Sequence, residues 1–307
     1  MIDILLASYN GEKYIAEQIE SILNQTYFDW FLYIKDDCST DNTLNIILDY
    51  EKKYKEKIKV ILSNKPTGSA KNNFFSILRF SKSDYIMTCD QDDVWLPDKI
   101  ETTYKNMKEV ENSYKDIPIL VHTDLKVVDE NLNIISNSLF KMQNLDSSRD
   151  KLNNLLVQNI VTGCTVMVNR KLLDYIETIP KNAIMHDWWM ALIASSLGKI
   201  SYLETPTVLY RQHKDNDVGA KNVQSANYIM KRLNNIDNIK NSVNATYIQA
   251  EELINSIGDL VTATDYSIIN LYSKIPRLYK LKKIKLLLKY GLIKNSFIRI
   301  LGQIIFC

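Results

Sequence analysis

Over its first 130 residues the chain alternates short apolar, β-branched runs with stretches whose apolar positions recur every three to four residues. The runs at 4–7, 31–35, 58–62 and 85–89 predict strands, and the periodic stretches at 13–25, 43–54 and 72–80 predict helices. Such alternation implies a mainly parallel sheet with right-handed crossovers, an α/β architecture whose ligands sit at the carboxyl ends of the strands. Farther on, 97–112 reads as a helix, 119–128 and 161–168 as strands, and 136–150 between them as a polar connection expected to be mobile. His186-Asp187-Trp188-Trp189 opens an apolar-periodic helix to 197, and 200–211 is extended. Beyond Gly219 the pattern turns helical. The expected organisation is therefore an α/β domain over 1–215 followed by a helical region over 216–307.

Three strings of chemistry-bearing residues stand at the predicted strand ends. The first strand runs into Ala7-Ser8-Tyr9-Asn10-Gly11, the second into Asp36-Asp37-Cys38-Ser39-Thr40-Asp41, and a later one into Asp90-Gln91-Asp92-Asp93. Three carboxylates within four residues repel one another unless a cation sits among them, and Mg²⁺ or Mn²⁺ accepts one or two such oxygens while keeping sites for water and phosphate. The same string also serves as an Asx-rich turn before the next helix. Asp41 or Thr40 can cap the helix that follows, which leaves the doubled Asp36-Asp37 unexplained; a carboxylate there can accept from a nucleotide base N–H. Neither a dinucleotide fingerprint nor a phosphate-binding P-loop occurs, so dehydrogenase and P-loop kinase readings lose support.

Composition narrows the class. Hydrophobic residues make up 46% and charged residues 24% of 307, which excludes disordered and fibrous readings. The four cysteines lack any C-x-x-C spacing, against zinc ribbons and disulfide frameworks and for a reducing compartment. The start of the chain reads as a strand and not as a signal peptide, and no window reaches the roughly 18 to 20 apolar residues of a spanning helix. A net charge of +2 argues against nucleic acid as a partner. Its distribution is uneven: nine bases and no acid follow Asp265, leaving 29 bases against 36 acids before it. In the tail, bases and apolar residues interleave at helical spacing, as in helices that lie on anionic membranes; the rival is a helix packed on the α/β domain or on a second subunit, as in a homodimer.

Taken in order, S-Y-N-G, D-D-x-S-T-D and D-x-D-D-x-W-x-P-D-K resemble the family-2 glycosyltransferases of GT-A fold. Val121 to Val128, Val161 to Thr165, Met185 to Trp188 and Leu209-Tyr210-Arg211-Gln212-His213 resemble the bacterial rhamnosyltransferase branch, which builds rhamnose-containing cell-wall polysaccharides. The resemblance spans about residues 1–215. It implies an inverting, metal-dependent transfer from dTDP-L-rhamnose to a lipid-linked saccharide or growing polysaccharide, on the inner face of the cell membrane. A UDP-hexose donor is the alternative within the fold, and a non-catalytic sugar-nucleotide scaffold the alternative outside enzymology.

By position, the resemblance implies that Ala7, Ser8 and Tyr9 face the nucleotide, with Asp37 on the base N–H. Lys71 lies near the nucleotide where the family usually has Arg, which keeps the charge but loses the planar fork. Asp90 and Gln91 border the nucleotide, and Asp92 and Asp93 with His213 hold Mn²⁺ or Mg²⁺. Arg211 pairs with phosphate. Asp187 is the catalytic base, with His186 where an acid often precedes it. Without the resemblance, Asp187 reads as an acid favouring a helix N-terminus. Trp95 and Trp188 are candidates to stack on an acceptor sugar or, more simply, core and rim residues. His122 reads as structural.

Overall fold

The structure is a computed structural model and describes residues 1–176, 180–214, 216, 219–220 and 236–307. Residue 215, the expected end of the α/β domain, and 221–235, where the helical region begins, lie outside the described residues.

In chain order the described elements are β1 (Ile2–Ser8), α1 (Ile15–Leu23), β2 (Trp30–Asp36), α2 (Thr43–Lys53), β3 (Ile58–Ile61), α3 (Ala70–Leu78), β4 (Tyr85–Asp90), β5 (Val94–Trp95), α4 (Lys99–Ser113), β6 (Ile119–Val128) and β7 (Ile134–Ser136). They continue with α5 (Leu139–Met142), α6 (Leu152–Leu155), β8 (Met167–Asn169), α7 (Arg170–Leu173), α8 (His186–Leu197) and β9 (Lys199–Arg211). Four helices close the chain: α9 (Ile236–Ile257), α10 (Ala263–Lys274), α11 (Lys280–Lys289) and α12 (Phe297–Phe306).

The strands form one nine-stranded sheet in the order β3-β2-β1-β4-β8-β6-β9-β5, with β7 beside β6. β3, β2, β1 and β4 run parallel, whereas β8 joins β4 and β6 antiparallel, as β5 joins β9. The sheet is thus parallel from β3 to β4, with β8, β7 and β5 joined antiparallel beyond it. β1 is an almost continuous apolar run because helices cover both faces of a parallel sheet; Ile2, Ile4, Leu5 and Leu6 are wholly buried. Ile15, Ile19 and Ile22 repeat at helical spacing on α1 and are buried too. Asp3 ties down the entry to β4: its carboxylate accepts from Ser81 Oγ, Lys82 N, Ser83 N and Ser83 Oγ at 2.7 to 3.1 Å.

Two compact units divide the chain: Met1–Leu139 with Val161–Ile179 and Ser201–Gly219, and Phe140–Ile160 with Pro180–Ile200 and Ala220–Cys307. In the second, α9 and α10 pack through Tyr247 and Tyr272, whose ring centroids lie 4.8 Å apart.

Some local expectations differ from what forms. The stretch 161–168 is a strand only from Met167. Gly163–Thr165 is a 3-10 turn in which Thr165 N and Oγ1 both donate to Thr162 O, while Thr88 Oγ1 captures Gly163 O. The connection at 136–150 holds the end of β7 and the short helix α5, whose Leu139 and Phe140 are buried.

Candidate functional site

Register alone brings the three strings together. Ser8 pairs with Asp36 across β1 and β2, and Ala7 pairs with Asp90 across β1 and β4, so the ends of all three strands share one rim in the first unit. Hydrogen bonds then lock the loops. Ser8 Oγ donates to Asp36 Oδ1 at 3.2 Å, and Ser39 N donates to Asp36 Oδ2 at 2.8 Å, which makes Asp36 a brace for its own turn. Asp37 accepts Thr67 N at 2.6 Å, Thr67 Oγ1 at 2.9 Å and Gly68 N at 3.1 Å, reaching from β2 to the loop before α3. Gln91 holds Tyr9 by its backbone: Tyr9 N donates to Gln91 Oε1 and Gln91 Nε2 donates to Tyr9 O, both at 2.8 Å. The Tyr9 ring is left 55% exposed at the rim. Lys71 occupies the first turn of α3 and is half-buried.

Beneath the rim lies a constrained carboxylate cluster. Asp93 is 0% exposed; its Oδ1 accepts Arg211 N at 3.1 Å, and its Oδ2 has no hydrogen-bond partner among the described residues. Burial, reinforced by the charges of Asp92 and Asp90, pushes its carboxyl well above the ordinary range. Ligand atoms of Asp90, Asp93 and Cys164 lie within 4.8 Å of one another. Asp92 faces another way: its Oδ2 is 2.8 Å from His213 Nε2 and accepts Asn216 Nδ2 at 3.3 Å, while the His213 ring packs 4.9 Å from Tyr14. A buried carboxylate oxygen lacking a donor, with the Asp90 carboxylate close by, fits a divalent cation. Burial pushes the Cys164 thiol up, so the oxygens and not the sulfur suit a hard ion.

Arg211 is 2% exposed and its donors are committed. Nε donates to Asp92 O at 2.8 Å, Nη1 to Glu130 O at 2.7 Å, and Nη2 pairs with the Glu17 carboxylate of α1. Its guanidinium also lies 4.6 Å from the Tyr14 ring centroid. Expected on phosphate, this arginine instead joins the end of β9 to the Asp92 loop and to α1. Trp95 also departs from expectation. At 2% exposure, with the Lys99 ammonium 4.7 Å from its ring centroid, it has no face to offer a sugar. Lys99 is itself buried, which lowers its pKa to about 8 against the pull of Cys164, Cys89 and Asp93.

Asp187 and Trp188 belong to the second unit. Asp187 is the second residue of α8, 8% exposed, and accepts Trp188 N at 2.6 Å. Trp188 Nε1 donates to Leu155 O at 2.6 Å, which fixes a half-buried ring. Burial drops the His122 and His186 imidazoles to about 3, so both are neutral core side chains. Sequence reasoning missed Glu17, Tyr14, Lys99 and Cys164 as neighbours of the acidic string. Lys99 closes the D-x-D-D-x-W-x-P-D-K string, a signal that was available; the others become neighbours only through the fold.

The family model Glycosyl transferase family 2 matches residues 3–176. dTDP-rhamnosyl transferase RfbG of Shigella flexneri is 32% identical over 246 residues, 76% of this chain and 79% of that protein. The Escherichia coli protein UDP-Glc:alpha-D-GlcNAc-diphosphoundecaprenol beta-1,3-glucosyltransferase WfgD is 29% identical over 57% of this chain and 62% of its own. The mannosyltransferase PcManGT of Pyrobaculum calidifontis, solved with GDP-Man and Mn²⁺, superposes with a TM-score of 0.53 at 12% identity, covering 94% of this chain and 79% of that one.

Proposed function

The chain belongs to glycosyl transferase family 2, and from that premise we propose that it moves L-rhamnose, with inversion, from dTDP-L-rhamnose to a lipid-linked saccharide or growing polysaccharide. One observation carries the donor side of this reading: the ends of β1, β2 and β4 meet at one rim over a buried Asp93 oxygen that lacks a donor. The rhamnosyl donor and the lipid-linked acceptor are supported by the similarity to the Shigella dTDP-rhamnosyl transferase and the Escherichia diphosphoundecaprenol glucosyltransferase.

In this proposal residues 1–215 form the catalytic part and 216–307 a helical region that touches the membrane from the cytoplasmic side. Ala7, Ser8, Tyr9 and Asp37 receive the nucleotide, with Gln91 keeping Tyr9 in place and Lys71 and Asp90 at its border. Asp93 and Asp90 would hold Mn²⁺ or Mg²⁺, and Asp92 and His213, which here pair with each other, would join only by turning toward the ion. When bound, the ion offsets the charge that collects on the departing diphosphate. Arg211 positions the Asp92 loop. Asp187 takes the proton of the acceptor hydroxyl as its oxygen attacks the anomeric carbon from the face opposite the diphosphate, so one C–O bond forms as the other breaks. Trp188 contacts the acceptor.

The test is release of nucleoside diphosphate by the full chain from dTDP-rhamnose, UDP-glucose and UDP-galactose, with a lipid-linked saccharide supplied. Turnover is expected with dTDP-rhamnose, and Asp187→Asn is expected to lower kcat by about 10²- to 10⁴-fold. Faster turnover of a UDP-hexose would overturn the donor assignment. Binding without turnover of any donor would favour a scaffold.

A further inference from the structure

The last two helices are anchored on one side and apolar on the other. Inward, Leu287 and Leu292 are wholly buried, Gln303 Nε2 donates to Leu292 O at 2.9 Å, Lys294 N donates to Gln303 Oε1 at 2.9 Å, and the Lys280 ammonium reaches Ile305 O. α12 therefore packs on α9 and is tied to α11 through Lys280 and through the connection between the two helices. Outward, Phe297, Ile298, Leu301 and Ile305 lie on one face of α12 at positions i, i+1, i+4 and i+8, and they are between 47% and 78% exposed. Leu281 and Leu288, two turns apart on α11, are exposed as well, beside exposed Lys282, Lys285 and Lys289. An isolated exposed leucine needs no explanation; four apolar side chains on one face of α12, with two more on one face of α11, do.

The charge around that face chooses its occupant. From Lys274 to Arg299 the chain carries nine bases and no acid. A second copy docking through the same face would set like charge against like, whereas an anionic lipid leaflet offers phosphates to the bases and a hydrocarbon boundary to the apolar side chains. We propose that the outer faces of α11 and α12 form an interfacial docking surface for anionic phospholipid, with Leu281, Leu288, Phe297, Ile298, Leu301 and Ile305 entering the headgroup boundary while the lysines contact phosphate. The helices lie on the membrane; no described helix is long and apolar enough to cross it. This deepens the membrane contact of the proposed function and stands apart from the choice of sugar.

Cosedimentation of the full chain with vesicles tests it. Binding is expected to phosphatidylcholine vesicles that contain roughly one third phosphatidylglycerol, to weaken in ~0.5 M salt, and to be slight on phosphatidylcholine alone. Combining Lys282→Ala, Lys285→Ala and Lys289→Ala should weaken binding on the order of a hundredfold. Combining Leu281→Glu, Phe297→Glu and Leu301→Glu should weaken it at least as much. Circular dichroism and hydrolysis of soluble donor should remain at wild-type level in both. Wild-type affinity in either variant overturns the proposal, as does a dimer in solution that these substitutions dissolve. Failure of the rhamnosyl reading would show instead as absent turnover with vesicle binding intact.

Discussion

Asp93 carries a conflict between folding and chemistry in one side chain. A wholly buried carboxylate with one oxygen lacking a donor among the described residues costs stability in the metal-free protein, and the same oxygen is what a cation would take. Because its folded pKa is raised, its neutral form favours the fold, and that contribution fades as pH climbs from the ordinary carboxylate range toward the folded value. Asp93→Asn should therefore stabilise the chelator-treated protein by about 1–3 kcal/mol at neutral pH, flatten that pH slope and abolish transfer. Thermal unfolding across pH in chelator checks this, and a variant less stable than wild type would refute the account. Asp93 was legible as a candidate, because three acids in four residues need an explanation. Its burial was not legible, since that follows from Arg211 and Cys164, 118 and 71 residues later in the chain.

Among elements, the turn from β1 into α1 shows what a glycine can protect. A Cβ on Gly11 would stand 2.3 Å from Gln91 Oε1, and Gln91 holds Tyr9 through two hydrogen bonds. Gly11→Ala can be accommodated by swinging the amide away, which frees the Tyr9 loop. Expected is about tenfold weaker nucleotide binding by calorimetry with at most about 2 kcal/mol lost in stability, since two exposed hydrogen bonds near 1 kcal/mol each are at stake. Unchanged affinity would detach Tyr9 from the nucleotide. The parallel strands and their helices were readable because runs of apolar residues and 3.6-residue periodicity are local signals. β5 and β7, two and three residues long, present no period to read. The run at 161–168 looks like a strand, but hydrogen bonds from Thr88 and Thr165 bend it into a turn.

For the whole molecule, cation and nucleotide should bind as a pair, because the carboxylates and the diphosphate would share one ion. Mn²⁺ with dTDP, each near 100 times its dissociation constant, should raise stability by about 5 kcal/mol, a Tm increase on the order of ten degrees, while dTDP with chelator should give little of it. Equal shifts with and without chelator would argue against a shared ion. The order of strings along the chain determined the α/β fold and the identity of the donor-side candidates, because motifs at strand ends and periodicity between them are properties of neighbouring residues. The basic, amphipathic tail was equally a matter of composition. Tertiary structure alone decided that Trp95 is core, that Arg211 spends its fork on Glu17, Glu130 and Asp92, and which side chains of α11 and α12 face outward. Burial and hydrogen-bond partnership depend on residues far apart in the chain, and no local pattern encodes them.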